Sequence, residues 1–457
     1  LKNLTTGNEG KLIFSFALPM LAGNVFQQLY NVVDSIVVGR AIGKEALAAV
    51  GANFPFIFAL ISFVVGIAIG STVVISQFFG AGKMKEVKRT IDTLYIFMFF
   101  AALVVSLTGI VFARPIFRLI DLPPDVLPDA VSYFKVYATG FIFFFGYQGT
   151  SAIMRGLGDS KTPFYFLGGS TLLNIVLDLL FVLVFHWGIK GVAAATVMAQ
   201  AAAFFAIIFY MNRYHRFLDF RPLQMKFDRD IFKKSLRIGL PTGFQQTFVA
   251  FGFMALYRIV NLFGTPTIAA YSIAVRIDSF AAMPAMNFSA ALATFTGQNM
   301  GAGKMERVHK GLKVTLIMAN VVAIFISVIA LLFARPLMAV FTKDPAVIEI
   351  GKHYLLIVPL FYMVFATMFT INGVMRGAGD TLVPMFFTII SLWFVRIPAS
   401  YFLSQKIGVT GIWWGIPIAW FVGLLLAFTY YKTGRWKRKV VVRPASFSSS
   451  ENRPAEG

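Results

Sequence analysis

Polar and apolar positions in this chain are segregated over tens of residues rather than over single turns. Long apolar stretches recur at 52–79, 91–113, 164–185, 312–334 and 409–431. As helices rising about 1.5 Å per residue, each is long enough to cross a hydrocarbon core of about 30 Å. No stretch alternates with period two over the roughly 10 residues of a transmembrane barrel strand. The pattern predicts about twelve spans, at 11–38, 46–79, 91–113, 129–152, 162–185, 189–211, 236–262, 267–297, 312–334, 348–372, 382–404 and 409–431.

Composition agrees with an all-α integral membrane protein. The 457 residues are 58% hydrophobic and 13% charged, against roughly 25% charged in soluble domains, and mean hydropathy is +0.75. The net charge of +21 could suggest nucleic acid, but its carriers cluster between spans. Lys83, Lys85, Lys88 and Arg89 occupy one such loop, and Arg155 and Lys161 another. Arg213, Arg216, Arg221, Lys226, Arg229, Lys233 and Lys234 fill a central linker. Lys304, Arg307 and Lys310, then Arg435, Lys437, Arg438 and Lys439, complete the set. An excess of Lys and Arg on alternate loops is the mark of the cytoplasmic side. A multi-pass protein of the cell membrane with both termini cytoplasmic is therefore expected, its basic loops facing anionic lipid. No nucleic-acid partner is expected. The chain has no cysteine, so disulfides and thiolate metal sites are excluded. The first span is too long for a signal-peptide core and is read as retained. The segment 440–457 is polar and rich in Pro and Ser, and is predicted to be a disordered tail.

An internal repeat organises the chain. "GAGKMKEV" at 80–87 returns as "GAGKMERV" at 301–308, "FARP" at 112–115 returns at 333–336, and "MRGLGD" at 154–159 returns as "MRGAGD" at 375–380. All three pairs share one offset of 221 residues. "GIKGV" at 188–192 and "GVTGI" at 408–412 follow within a residue of that offset, as do the "LP" pairs at 18–19 and 240–241. Two six-helix lobes, 1–211 and 236–431, are thus expected, joined by the basic linker 212–235 and followed by a tail at 432–457. An even number of spans per copy gives both copies the same orientation, the parallel-repeat arrangement of some secondary transporters.

The repeat isolates what is not repeated. Asp34 lies within the first span, where a carboxylate costs roughly 2.5–3.5 kcal/mol on insertion scales. Its counterpart is near Leu256, while those of Asn174 and Asp178 are near Val395 and Ala399. Scaffold residues must persist in both copies; groups present in one copy are better candidates for chemistry. Asn174 and Asp178 are four apart and share a helix face. Intramembrane acids usually face a cavity and a partner, so Asp34 and Asp178 are expected to meet inside the first lobe. Thr196, Tyr30 and Gln27 can add ligands. The plainer reading of each is a hydrogen bond between packed helices. Met154, Met198 and Met286 can line a compliant cavity, although core or lipid-facing packing accounts for any one methionine equally well.

Other motifs mislead. "GAGK" fails the Walker pattern, since position 77 is Gln and position 84 is Met, and its glycines suit a tight turn between spans. "GLGD" and "GAGD" resemble an intramembrane protease motif, but Asp159 and Asp380 are repeat-equivalent at span ends and read as ion pairs with Arg155 and Arg376, or as caps. The four histidines form no metal-ligand spacing. Arg276 and Asp278, two apart on span 8, mark either a polar patch in the second half or the wet outer end of that helix, and the outer end is the preferred reading.

Taken together, "LYNVVD" in span 1, "GAGK" after spans 2 and 8, "MRGxGD" after spans 4 and 10, and "LNIVLD" in span 5 resemble the multidrug and toxic compound extrusion (MATE) family over nearly the whole chain, and its DinF branch in particular. The resemblance implies a secondary antiporter, not an enzyme, that exports lipophilic or cationic compounds by alternating access. No cofactor is implied, and the coupling ion is H⁺ or Na⁺. It places Asp34, Asn174, Asp178 and Thr196 at the cation site, with Gln27, Tyr30 and Asn31 toward the substrate cavity, and makes Pro19 a bending point; a monomer is expected. Acids typical of the NorM branch in spans 7 and 10 are missing: span 7 carries Gln245 and Gln246, and span 10 has no acid before Asp380. Two rivals stand beside this reading, a lipid-linked-precursor flippase and an intramembrane enzyme using the two aspartates.

Overall fold

The computed structural model describes residues 2–119, 122–215 and 220–442. The end of the predicted tail, 443–457, lies outside the described residues, as do 216–219 of the linker. Among the described residues there is no strand. The first repeat runs through α1 (Glu9–Val37), α2 (Lys44–Gly80), α3 (Met84–Leu119), α4 (Leu127–Thr139), α5 (Phe141–Gly156), α6 (Lys161–Leu179) and α7 (Gly188–Tyr214). The second comprises α8 (Arg229–Asn261), α9 (Thr265–Gly301), α10 (Met305–Leu332), α11 (Ala334–Ala339), α12 (Pro345–Ile357), α13 (Tyr362–Gly377), α14 (Leu382–Ile389), α15 (Ile397–Ile407) and α16 (Val409–Thr433).

These helices make the twelve passages expected. Nine of them, among the described residues, are long and apolar enough to span a membrane by themselves. The remaining three have identifiable reasons. α4 and α5 form one passage interrupted at Gly140, while α8 and α9 carry polar groups such as Arg258, Arg276 and Asp278 within their length. In lipid an all-helical chain is the natural solution, because each helix satisfies its own backbone donors and acceptors. Phe100, Val104, Leu107 and Val111 of α3 form an exposed apolar stripe at helical spacing. Val321, Phe325, Val328 and Leu332 of α10 form the repeat-equivalent stripe, also exposed. A face that would be a liability in water is the one that hydrocarbon solvates.

The repeated glycine motifs are helix ends. In "GAGK" Gly82 and Gly303 take positive φ, 71° and 72°. Lys83 N then donates to Phe78 O at 2.9 Å, and Lys304 N to Asn299 O at 2.8 Å. "MRGxGD" does the same with Gly158 and Gly379, so that Asp159 N reaches Met154 O at 2.8 Å and Asp380 N reaches Met375 O at 2.9 Å. These are left-handed C-caps in which glycine avoids the Cβ clash and the last carbonyls are satisfied. Asp159 begins the next helix, accepting from Lys161 N and Thr162 N at 3.0 Å each. Asp380 instead accepts from Tyr430 Oη at 2.6 Å. Of the two roles expected for these aspartates, capping holds for Asp159, and neither pairs with its upstream arginine among the described residues.

The chain resolves into two compact units, one of residues 1–2 and 18–243, the other of 3–17 and 244–457. Both changes of unit fall beside the repeated "LP": α1 changes between Ala17 and Leu18, and α8 between Gly243 and Phe244. Within the first unit, Gly66 and Gly70 of α2 meet Gly239 and Gly243 of α8 at backbone contact. A Cβ on Gly70 would lie 2.3 Å from Ser235 O, and one on Gly66 would lie 2.7 Å from Gly239 O. Two small-xxx-small faces let the helices approach this closely, as membrane packing requires where no hydrophobic force separates protein from lipid. Gly70→Ala is expected to destabilise the protein by about 1–3 kcal/mol, the usual cost of overpacking. Thermal unfolding in detergent measures this, with Gly168→Ala as the control because nothing lies within 4 Å of its added Cβ.

Candidate functional site

Two helices deliver the acids, and both change winding there. Asp34 lies four residues before a π-helical segment, Val38–Ile42, and Asp178 two residues before another, Leu180–Val184. Such wide turns are rare and concentrate at functional sites. The two segments pack against each other, with Val38 and Val182 in one buried cluster that also holds Tyr133, Phe117 and Phe134. The apolar packing of the π turns thus fixes one edge of the site.

Of the four residues expected to form the centre, Asn174, Asp178 and Thr196 are joined by hydrogen bonds and Asp34 lies within electrostatic reach of Asp178, all in the first unit. All four are buried: Asp34 is 8% exposed, Asn174 3%, Asp178 1% and Thr196 5%. Asn174 joins two of the helices. With its amide nitrogen toward Asp178, it donates to Oδ2 at 3.1 Å while its oxygen accepts from Thr196 N at 3.1 Å. The opposite orientation would set the amide oxygen against the carboxylate, so hydrogen bonding selects this one. Thr196 Oγ1 donates to Val192 O at 3.1 Å, and Tyr30 Oη lies 3.2 Å from the same hydroxyl. Asp178 lies in the electrostatic field of Asp34, and neither forms an ion pair with a Lys or Arg among the described residues. Asp34 Oδ1 and Asp178 Oδ1 are buried with no hydrogen-bond partner among those residues.

Other expected residues are placed differently. Gln27 is exposed on α1, and the side chain of Asn31 is not among those described. Met154 is fully buried in α5; Met198 on α7 and Met286 on α9 are exposed and lie in different units. Pro19 lies inside an uninterrupted α1. Two residues of the site were missed by sequence reasoning. Tyr133 and Tyr137, stacked at 5.9 Å, both lie in the field of Asp34. A signal existed for Tyr133, because the repeat retains a tyrosine at Tyr354. The reading of Asp278 as a wet helix end is corrected. Arg276 is exposed, but Asp278 accepts from the phenols of Tyr354 and Tyr362, which α12 and α13 bring onto it from the far side of the sequence.

Fold and site define a two-repeat helical membrane protein whose first repeat encloses an unpaired acidic cluster. The MatE family model matches the chain twice, at residues 19–180 and 241–402, and the chain belongs to that family. The two matches divide it as the internal repeat does. It is 31% identical to the "Probable multidrug resistance protein YoeA" of Bacillus subtilis (strain 168) over 437 residues, 94% of each chain. It is 28% identical to the "Probable multidrug resistance protein NorM" of Thermotoga maritima, again over 94% of each. A solved structure, "MATE in the straight conformation", superposes with a TM-score of 0.89 at 23% identity, covering 95% of this chain and 98% of that one. As members of a family of transporters, such chains are not enzymes.

Asn174 and Asp178 should be energetically coupled. Asn174→Ala and Asp178→Ala together are expected to cost less than the sum of the single variants, with an interaction energy of about 0.5–3 kcal/mol. A double-mutant cycle on unfolding in detergent measures it; strict additivity would mean that the bond is not made.

Proposed function

We propose that this protein is a secondary active multidrug efflux antiporter of the cell membrane, exporting lipophilic and cationic compounds in exchange for H⁺ or Na⁺ by alternating access. The observation that carries the reading is the acidic cluster with its two unpartnered carboxylate oxygens. Two buried carboxylates without a cationic side chain call for a positive charge from outside the chain, whether a shared proton or a metal cation. Asp34, Asp178, Asn174 and Thr196, with the Tyr30 hydroxyl, offer oxygen donors that suit either ion. The multidrug-resistance names of the relatives support the substrate class.

Coupling follows from differential affinity, since an ion does work only if it binds one conformation more tightly than another. The two π segments are a suitable transmission element. Neutralising Asp34 or Asp178 relieves repulsion at the residues that lead directly into Val38–Ile42 and Leu180–Val184. Pro19, which cannot donate a helical hydrogen bond, is the point at which α1 bends most cheaply. In this reading the protein works as a monomer with both termini in the cytoplasm, and it belongs to the DinF-type branch.

The test is dye efflux from liposomes under a pH gradient alone and under a Na⁺ gradient alone. Wild-type protein is expected to move dye under at least one of them. Asp34→Asn and Asp178→Asn, which keep shape but remove charge, are expected to fall to the rate of empty liposomes. Gradient-driven efflux that persisted in both variants would overturn the coupling role; no efflux under either gradient would overturn the antiporter reading.

A further inference from the structure

The second repeat has a polar cluster of its own. Asp278 of α9 accepts from Tyr354 Oη at 2.9 Å through Oδ2 and from Tyr362 Oη at 2.5 Å through Oδ1. Each phenol has thereby used its only proton. Beside them Tyr271 stacks on Trp413, with centroids 5.6 Å apart and planes inclined by 13°, and Tyr354 meets the same indole edge-on at 5.1 Å. Arg396 ends the π-helical segment Ile390–Arg396, lies 5.4 Å from the centroid of the Phe253 ring, and is within electrostatic reach of Tyr271, Tyr354 and Asp278. All of these residues belong to the second unit.

Three polar atoms here are buried with no hydrogen-bond partner among the described residues: Tyr271 Oη, Arg396 Nε and Trp413 Nε1. Tyr271 and Trp413 are each 1% exposed. Indole and guanidinium nitrogens only donate, and the phenol has its proton free. Arg396 forms no ion pair with a carboxylate among the described residues. In the acidic cluster of the first repeat the unpartnered atoms are instead the acceptors Asp34 Oδ1 and Asp178 Oδ1. Tyr133 and Tyr354 are repeat-equivalent, so the two clusters have grown around one retained phenol with opposite hydrogen-bond polarity.

Buried donors left unpaired are costly; Arg396 is half-buried, with Nε its buried donor. We infer that the second repeat contains a binding site for a small monovalent anion, a halide or a carboxylate, held by Arg396 with the Trp413 N–H and the Tyr271 O–H. Asp278 is held by the two phenols and forms no hydrogen bond with these three donor atoms. The inference goes beyond the proposed antiport and does not rest on it.

Thermal unfolding of the purified protein in detergent tests it, comparing chloride, bromide and acetate with gluconate at constant ionic strength. A saturable rise in Tm is expected with at least one of the three small anions over gluconate. The rise should vanish in R396Q and weaken in Tyr271→Phe and Trp413→Phe. Should R396Q fail to fold, the two single-donor variants carry the test. A halide-only response identifies a halide site and an acetate-only response a carboxylate site; both support the inference. No anion-specific shift, or a shift unchanged in the variants that fold, overturns it.

Discussion

Hydrocarbon offers no hydrogen bonds, and this structure is organised around that fact. Every backbone group in a span must be satisfied within a helix, and every side-chain polar group must find a partner inside the bundle. Serine and threonine meet the requirement by donating one turn back, as Thr196 does to Val192 O, Thr315 to Gly311 O and Ser327 to Ala323 O. The helix ends meet it with glycine, which lets the chain turn left-handed and cap its own carbonyls. Against that background, the few buried atoms left unpartnered stand out. In the first repeat they include two carboxylate oxygens; in the second they include one guanidinium nitrogen, an indole N–H and a phenol.

Duplication explains why these exceptions are informative. Two copies of one sequence had to fold in the same solvent, so turn chemistry, the lipid-facing stripes and the interruptions of spans 4 and 10 survive in both. What diverged had no such duty. The first copy runs straight through "FARP", since α3 continues to Leu119, whereas the second stops at Phe333 and restarts as α11. One acid lies on non-equivalent spans, Asp34 on span 1 of the first repeat and Asp278 on span 8 of the second, whereas Asp178 and Arg396 sit on the repeat-equivalent spans 5 and 11 with opposite charge. A retained tyrosine on span 4 and span 10 marks the level in each lobe at which polarity could be rebuilt.

The sequence by itself determined the class of structure. Apolar runs of about 20 residues can only be helices in lipid, and a repeat at one offset can only mean two like bundles. It also put Asn174 and Asp178 on one helix face, and the missing counterparts of Asp34, Asn174 and Asp178 in the second repeat made them candidates. Tertiary structure decided the rest, for one physical reason. A side chain's partner across a bundle is set by helix packing, which leaves no local period to read. The phenols that complete the first cluster, Tyr133 and Tyr137, look like ordinary aromatic packing in a chain with 51 Phe. Asp278 looked like a helix end beside Arg276 until α12 and α13 brought Tyr354 and Tyr362 onto it. The same holds for the glycine contact of α2 with α8. Gly66 and Gly239 are unremarkable in sequence, and only the crossing of two helices makes their missing Cβ atoms necessary.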